Sequence, residues 1–492
     1  MWYNAVEGGE IMYFLGIDVG TTGAKTLAVG EGGHIAGRGY REYPLEVSGE
    51  GYVTQNAEDW WGAAAASARE AMDGLDRGEV AAIGLSTQGA SMLAVDKNFA
   101  PLCPVITWMD RRASDEAKAL AEVIGEEAIY QKTGFPVNPA LDMAKIAWIK
   151  NNWPDVYQKA ASFVSTLEFV NFRLTGENVI DPTNAAIRQL MNLGSCGWDP
   201  EILSALCLDG GRLPAIAPSG EKLGRLAKKA ADELGLSQDV EVYNGAHDQY
   251  CAAVGSGVTK PGDMLLATGT AWVVFGVTEK PLYTPSRIMP GIFPMTGRFG
   301  AMASMAGLGA ALKWYKGIIG EDYDKINEGA ASRAPDEELL AYPYLSGAGF
   351  SRDYDSKAAF AGLCMRHDRY DIARAIMEGV AFEARMVLEE FAAQGMDIRN
   401  IVMTGGAAKS ELWSRITGAA TGCSIARSTE PDAACLGAAI LAAAGAGFAG
   451  LEEAAAKWVR LEPAAPPDGD WGELYRRKYL RYKEKHGSIY IK

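Results

Sequence analysis

Runs of apolar residues in this chain keep two different periods, and the places where one gives way to the other mark its elements. Residues 14–29 (FLGIDVGTTGAKTLAV) are an apolar run broken at Asp18, turned through Gly and Thr, then resumed, so residues 12–29 read as strand, turn, strand. Residues 57–72 (AEDWWGAAAASAREAM) repeat their small apolar positions at helical spacing. Short apolar runs at 80–85 and 92–95 read as strands, and residues 240–254 (VEVYNGAHDQYCAAV) read as strand, turn and helix. Residues 264–277 (MLLATGTAWVVFGV) echo the first hairpin: an apolar strand, a Gly-Thr turn, and a second apolar strand. Ile372, Ile376, Val380, Val387, Leu388 and Phe391 fall on one helical stripe and predict a long core helix over 371–391. Residues 400–405 read as a strand ending at a Gly pair, followed by a helix over 410–420 and a charged aromatic helix over 471–482. Strands and helices alternate, so the fold class is α/β.

Two similar hairpins half a chain apart suggest two domains of related design. The expected boundary is near 258, before Thr259-Lys-Pro-Gly262, giving domains 12–258 and 259–492, with residues 1–11 an extension outside the folded core. A length of 492 residues exceeds what one hydrophobic core supports.

Composition narrows the function. The net charge of −15 argues against a nucleic-acid or anionic-membrane partner, since both need a basic face. The longest apolar stretch, near residues 438–451, is too short and too rich in Ala and Gly to span a bilayer. The seven cysteines include no CxxC pair, and with no signal peptide they read as reduced thiols of a cytoplasmic protein. Four scattered histidines do not make a His-rich metal centre. The base rate of two-fold assemblies makes a homodimer the default expectation.

The first hairpin carries chemistry of its own. Successive N–H groups in a tight Gly/Thr turn form a concavity for anions such as phosphate. Gly20 and Gly23 let the backbone bend, Thr21 and Thr22 add hydroxyls, and Lys25 adds a point charge. Asp18 would repel bare phosphate, so its presence implies a Mg²⁺ between them, held through water. The alternative is an ordinary hairpin with a capping Asp. The second hairpin, with Thr268, Gly269 and Thr270, repeats the pattern without the acid. Asp248 lies where a strand yields to a helix; it is either a helix cap or a general base for a hydroxyl attacking a phosphoryl group. The preceding His247 reads as structural, with its register turning it away from Asp248. Gly405-Gly406, followed by Lys409, form a strand-to-helix turn on which a flat ring packs, or a turn and nothing more. Gln88, Trp108, Asp110 and Arg111 follow short strands and are either sugar-hydroxyl ligands or polar loop residues. There is no GxxxxGK[ST] loop and no GxSxG elbow, and Gly307-Leu-Gly309 lacks the third glycine of a dinucleotide fingerprint.

Taken in order, these segments resemble the FGGY family of carbohydrate kinases, from about Met12 onward. FLGIDVGTTGAK resembles the family's first phosphate motif, GAHDQYCAAVGSGV the segment with its catalytic Asp, LLATGTA its second phosphate motif, and IVMTGGAAKSELWSRITG its adenosine motif. Residues 358–378 (AAFAGLCMRHDRYDIARAIME) resemble its C-terminal signature, and 434–444 (ACLGAAILAAA) the helix near the nucleotide. Residues 141–152 (LDMAKIAWIKNN) keep the Lys and Trp of its N-terminal signature, with Asp142 where a small residue or Pro is typical.

The resemblance implies a two-domain ribonuclease-H-like, actin-like fold of the hexokinase type, using ATP and Mg²⁺ on a small sugar or polyol. It implies that Asp248 is the base and that Asp18 organises Mg²⁺. Thr21, Thr22, Gly23 and Lys25 would surround the terminal phosphates, with Gly269 and Thr270 holding them from the second domain. Gly405, Gly406 and Lys409 would face adenosine. Gln88, Trp108, Asp110 and Gln249 would contact the sugar. Xylulokinases typically carry Gln-Met-His and glycerol kinases Gln-Arg-Glu where this chain has Gln88-Gly89-Ala90. Both pairs are missing, yet the first domain looks nearest to the xylulokinase-like branch, so a ketopentose such as xylulose is the expected acceptor. Ribulose, erythritol or another polyol, gluconate and glycerol are the alternatives, as is a non-catalytic nucleotide-operated module of the actin-like class.

Overall fold

The computed structural model describes residues 12–49, 51–269, 272–305, 307–345, 347, 355–467 and 471–490. The expected extension at 1–11 and Thr270 lie outside the described residues. The chain forms two units, one of residues 1–257, 290–299 and 432–459, the other of 258–289, 300–431 and 460–492. It first changes unit after Gly257, beside the expected boundary, and then returns to the first unit twice.

The main sheet of the first unit contains β1 (Tyr13–Val19), β2 (Gly23–Gly30), β3 (Ile35–Glu42), β4 (Val80–Thr87), β5 (Lys222–Arg225) and β6 (Glu241–His247). Their spatial order is β5-β6-β4-β1-β2-β3. β1, β2 and β3 form an antiparallel meander, whereas β4 and β6 run parallel to β1 and β5 closes the edge antiparallel. β1 is buried almost throughout because it is central and covered, which is why its sequence is a near-continuous apolar run. The helix Ala433–Gly445 packs on this sheet at backbone distance: a Cβ on Gly16 would sit 1.9 Å from the Cys435 carbonyl oxygen, and one on Gly84 2.2 Å from that of Ala438. Its small residues explain why a segment so late in sequence returns to the first unit. A second, five-stranded sheet (Glu46–Val47, Val53–Gln55, Val105–Ile106, Met92–Val95, Ser162–Ser165) carries the loops around Gln88 and Trp108.

The second unit repeats the plan. With β7 (Met264–Thr268), β8 (Trp272–Thr278), β9 (Phe299–Met305), β10 (Asn400–Gly405), β11 (Ser424–Ser428) and β12 (Leu461–Ala465), the order is β12-β11-β10-β7-β8-β9. β7 and β8 are antiparallel, β10 and β11 run parallel to β7, and β12 is antiparallel to β11. The two echoing hairpins thus open two separate sheets of the same design, and the fold is the two-domain ribonuclease-H-like α/β one. The helix predicted over 371–391 spans Arg369–Ala393, started by Asp368, whose carboxylate accepts from the N–H groups of Tyr370 and Asp371. The terminal helix runs Gly472–Tyr490, beyond the expected 482. No helix among the described residues is long and apolar enough to cross a membrane.

Candidate active site

Three neighbouring parallel strands of the first unit end at one level. Register pairs Asp18 with Ser86 and Val19 with Thr87 across β1 and β4, and Thr87 with His247 across β4 and β6. The carboxyl ends of parallel strands are where open α/β sheets bind ligands. Asp18, Gln88 and Asp248 follow from that register.

Asp18 is partly buried, and Ser86 Oγ donates to its Oδ1 at 2.6 Å. Burial pushes its carboxyl from the ordinary 3.8 up to about 7, with the Ser86 hydrogen bond opposing and the charge of Asp248 adding to the rise. A carboxylate held at such cost is suited to a cation. No group of three or more His, Cys, Asp or Glu among the described residues forms a metal cage. A single carboxylate beside a turn of backbone N–H groups is a donor set that fits a hard ion such as Mg²⁺, which takes one or two carboxylates and completes its shell with water and phosphate oxygens.

The turn after β1 is tightened by Gly20 N–H donating to Gly23 O at 3.0 Å. Tyr43 N–H donates to Thr22 O at 3.1 Å, and the Tyr43 hydroxyl donates to Gly20 O. Gly23 must be glycine: a Cβ there would lie 2.6 Å from Arg41 O on β3. Thr21 is the junction with the sugar-side candidates. Its Oγ1 accepts from Trp108 Nε1–H at 2.9 Å, and its carbonyl accepts from Gln55 Nε2 at 2.6 Å. Gln55 Oε1 in turn accepts from Gln88 Nε2 at 3.2 Å. Lys25 does not project free: its Nζ donates to Asp432 Oδ1 at 2.7 Å, and Asp432 also meets Arg38 at 3.2 Å.

Asp248 opens the helix Asp248–Gly255, with His247 rather than Asp248 in the capping position. β6 passes into this helix with no intervening turn, so the expectation that His247 points away is corrected: its Nε2 lies 3.2 Å from Asp248 Oδ1. The contact is too misaligned for a hydrogen bond, and Asp248 Oδ1 accepts none among the described residues. Gln88 Oε1 and Gln249 Oε1 are likewise buried acceptors without donors. Acceptors left open where strands end are what a polyhydroxylated ligand would fill.

Asp110 stands apart from this set. Arg112 donates to both its oxygens, at 2.9 and 2.7 Å, and Val53 N–H adds a third bond at 2.6 Å. Burial raises its carboxyl, but the Arg112 bonds outweigh that and hold it below the usual range. Arg112 itself is stacked on Tyr52 at 4.0 Å and near Trp148 at 4.9 Å. Asp110 thus braces the loop that presents Trp108, whose ring stays half-exposed.

In the second unit, Thr268 pairs in register with Gly405. Gly405 has φ +88°, and a Cβ on it would lie 2.7 Å from Thr268 O. Gly406 N–H donates to Thr268 O at 3.0 Å and Ala407 N–H to Thr268 Oγ1 at 3.1 Å, so the β7 end adjoining Gly269 and the Gly405-Gly406 turn are one feature. Gly269, Gly405, Gly406 and Lys409 are exposed.

Ser86, Gln55, Asp432 and His247 were missed as site residues by sequence reasoning. Ser86 alone had a usable signal, since it lies in register with Asp18 once β1 and β4 are paired.

Comparison with known proteins agrees with this geometry. The model of the FGGY carbohydrate kinase N-terminal domain matches residues 13–255 and that of the C-terminal domain residues 264–446. The xylulose kinase of Staphylococcus xylosus is 26% identical over 480 residues, 96% of this chain and 99% of that one. The gluconokinase of Bacillus subtilis is 27% identical over 446 residues, 87% of this chain and 86% of that one. The crystal structure of xylulose kinase from Rhodospirillum rubrum, 25% identical, superimposes with a TM-score of 0.91 over 97% of this chain and 99% of that one. With both domains matched over most of its length, the chain belongs to the FGGY family of carbohydrate kinases and is an ATP-dependent sugar kinase.

Proposed function

We propose that the acceptor is a neutral ketopentose of the xylulose type and that Asp248 is the general base. The observation that carries this reading is the unfilled Asp248 Oδ1 at the end of β6, in a sheet where Asp18 and Gln88 end at the same level. Gln88 and Gln249 add open acceptors for sugar hydroxyls, and the half-exposed Trp108 ring offers an apolar face to a carbon chain. Gln55, Gln88, Gln249 and Asp248 are neutral or anionic, which favours a neutral sugar over a sugar acid. The relatives named xylulose kinase support the same acceptor.

Asp248 takes the proton of the acceptor hydroxyl as its oxygen attacks the γ-phosphorus. The bond to the β–γ bridging oxygen breaks, and ADP leaves with that electron pair. Asp18 would hold Mg²⁺, which when bound neutralises charge on the transferred group. Thr21, Thr22 and Gly23 offer the turn that orients the phosphates. Lys25 serves it once released from Asp432, or steadies it through that pair. On the second unit, Gly269, Thr270, Gly405, Gly406 and Lys409 are the proposed nucleotide contacts.

The test is ADP release from MgATP with D- and L-xylulose, D- and L-ribulose, glycerol, erythritol, ribitol, xylitol, gluconate and L-fuculose. A strong response to one pentulose, lost in Asp248→Ala with ATP binding kept, supports the reading. A response confined to gluconate or glycerol, or full turnover in Asp248→Ala, overturns it.

A further inference from the structure

His247 and Gly89 contend for one volume. Gly89 follows Gln88 at the end of β4, and a Cβ built on it would lie 2.6 Å from His247 Cδ2, 2.8 Å from Nε2 and 3.0 Å from Ile187 Cδ1. Gly89 is not in the left-handed region, so glycine stands there for space and not for backbone strain. The imidazole has taken the room that any side chain at position 89 would need.

The backbone that carries this ring is held. The backbone N–H of His247 donates to Thr183 Oγ1 at 2.7 Å, and Thr183 Oγ1 donates to Asp181 Oδ2 at 2.6 Å. Asp181 is fixed in turn by Asn184 Nδ2 at 2.7 Å and Ser219 Oγ at 2.9 Å. The Tyr250 ring meets the imidazole edge-on, with centroids 6.2 Å apart. The side chain is buried, and its Nε2 ends 3.2 Å from Asp248 Oδ1, a buried oxygen with no hydrogen bond among the described residues.

We propose that His247 is a positioning and specificity-determining residue for the acceptor. Its ring walls the space beside Asp248, limits the length of the carbon chain that brings a hydroxyl to that carboxylate, and packs its Nε2 edge against the carboxylate. The role that sequence position would give to residues 89 and 90 has passed to a side chain on β6. This rests on the assignment of Asp248 as the base.

The experiment compares His247→Ala, Gly89→Ala, the double variant and Asp248→Asn on the best pentulose of the panel and on L-fuculose, a six-carbon ketose. Folding is followed by melting temperature. His247→Ala opens the wall, so the six-carbon to five-carbon ratio of kcat/KM rises about tenfold or more, the scale on which apolar volume discriminates substrates. Gly89→Ala pushes the ring toward the acceptor and lowers pentulose kcat/KM about tenfold. In the double variant the added methyl meets no ring, so kcat/KM returns to that of His247→Ala, a non-additivity expected only of groups in contact. An unchanged ratio in His247→Ala, or losses that simply add in the double variant, overturns the proposal. If Gly89→Ala fails to fold, a double variant that folds and turns over supports the shared volume, and one that also fails overturns it. Retained turnover in Asp248→Asn removes the base assignment instead. The chain-length ratio of His247→Ala, which does not depend on which group takes the proton, then decides the His247 reading alone.

Discussion

Trp108 Nε1–H donates to Thr21 Oγ1 across 2.9 Å, so the ring proposed to meet the sugar is tied to the turn proposed to meet phosphate. Trp108→Phe keeps the ring and removes the donor, and Thr21→Val keeps the shape and removes the acceptor. Each is expected to lower kcat/KM about fivefold, matching a net hydrogen bond of about 1 kcal/mol. The double variant should lose no more than either single one, because the same bond is removed. Steady-state kinetics on the four proteins checks this, and fully additive losses would show that the bond does not link the two halves of the site.

Lys145 supports the same loops from beneath. Its buried Nζ donates to the carbonyls of Ala90 at 2.7 Å, Ile106 at 3.2 Å and Thr107 at 2.7 Å, bracketing the segments that carry Gln88 and Trp108. It also holds Ala90 in the left-handed region at φ +54°, a strained conformation for a residue with a Cβ. Burial pushes this ammonium down to about 8, against Asp142 and Asp110, which raise it, and with Arg112, which lowers it further. The bracket is charged below that pH and weakens as pH climbs through it. Lys145→Met should raise the acceptor KM about tenfold with the ATP KM unchanged. In the wild type the acceptor KM should rise above about pH 8, and in Lys145→Met it should stay flat. A parallel pH dependence in both proteins would refute the bracket.

The raised Asp18 carboxyl gives a stability signature with a definite sign. Between about pH 4 and pH 7 the folded protein holds a proton there that the unfolded chain has released. Stability from this group is therefore complete at low pH and lost as pH rises through about 7, by on the order of 4 kcal/mol for a shift of this size. Asp18→Asn mimics the protonated form at every pH. In chelator-treated, nucleotide-free protein, its melting temperature should exceed that of the wild type by several degrees at pH 8 and by much less at pH 5, while turnover is abolished. An equal difference at both pH values would rule the linkage out.

How much of this was visible in the sequence depends on how far apart the partners lie. The hairpins at 14–29 and 264–277 carry their turns and apolar runs locally, and the passage from β6 into a helix at Asp248 announces itself by the change of period. Lys25 is different: its partner Asp432 is 407 positions away, and nothing near Lys25 marks the pairing. Asp110 reads locally as either a sugar ligand or a polar loop residue, because its pairing with Arg112 depends on the aromatic stack of Tyr52 and Trp148. Asp142 looked like a lapse from the family's signature, yet it is the buried partner of Arg188, whose Nε donates to it at 2.6 Å. His247 was misread because a turn was assumed between strand and helix, and without that turn its ring lies beside Asp248. Local pattern fixes elements and their ends, whereas the charges that cross between elements appear only once the sheet order is known.

The return of the helix Ala433–Gly445 sets the position of Asp248 through a contact that tolerates no side chain. A Cβ on Gly437 would lie 1.9 Å from the carbonyl oxygen of Cys251, in the helix that Asp248 begins, and one on Gly255 would lie 1.9 Å from that of Ala433. Both obstacles are backbone, which cannot rotate aside. Gly437→Ala must therefore drive the two helices apart, at a cost of about 1–3 kcal/mol or more for overpacking, despite the better helix propensity of alanine. Because Asp248 sits on the displaced helix, kcat should fall more than tenfold even where the variant stays folded, while ATP binding is retained. Gly487, inside the terminal helix, has nothing within 4 Å of its missing Cβ. There the same substitution should stabilise by about 0.5–1 kcal/mol and leave kcat unchanged. Melting temperature and kcat measured on the pair separate propensity from packing, and a Gly437→Ala enzyme as active as Gly487→Ala would show that this helix contact does not place the proposed base.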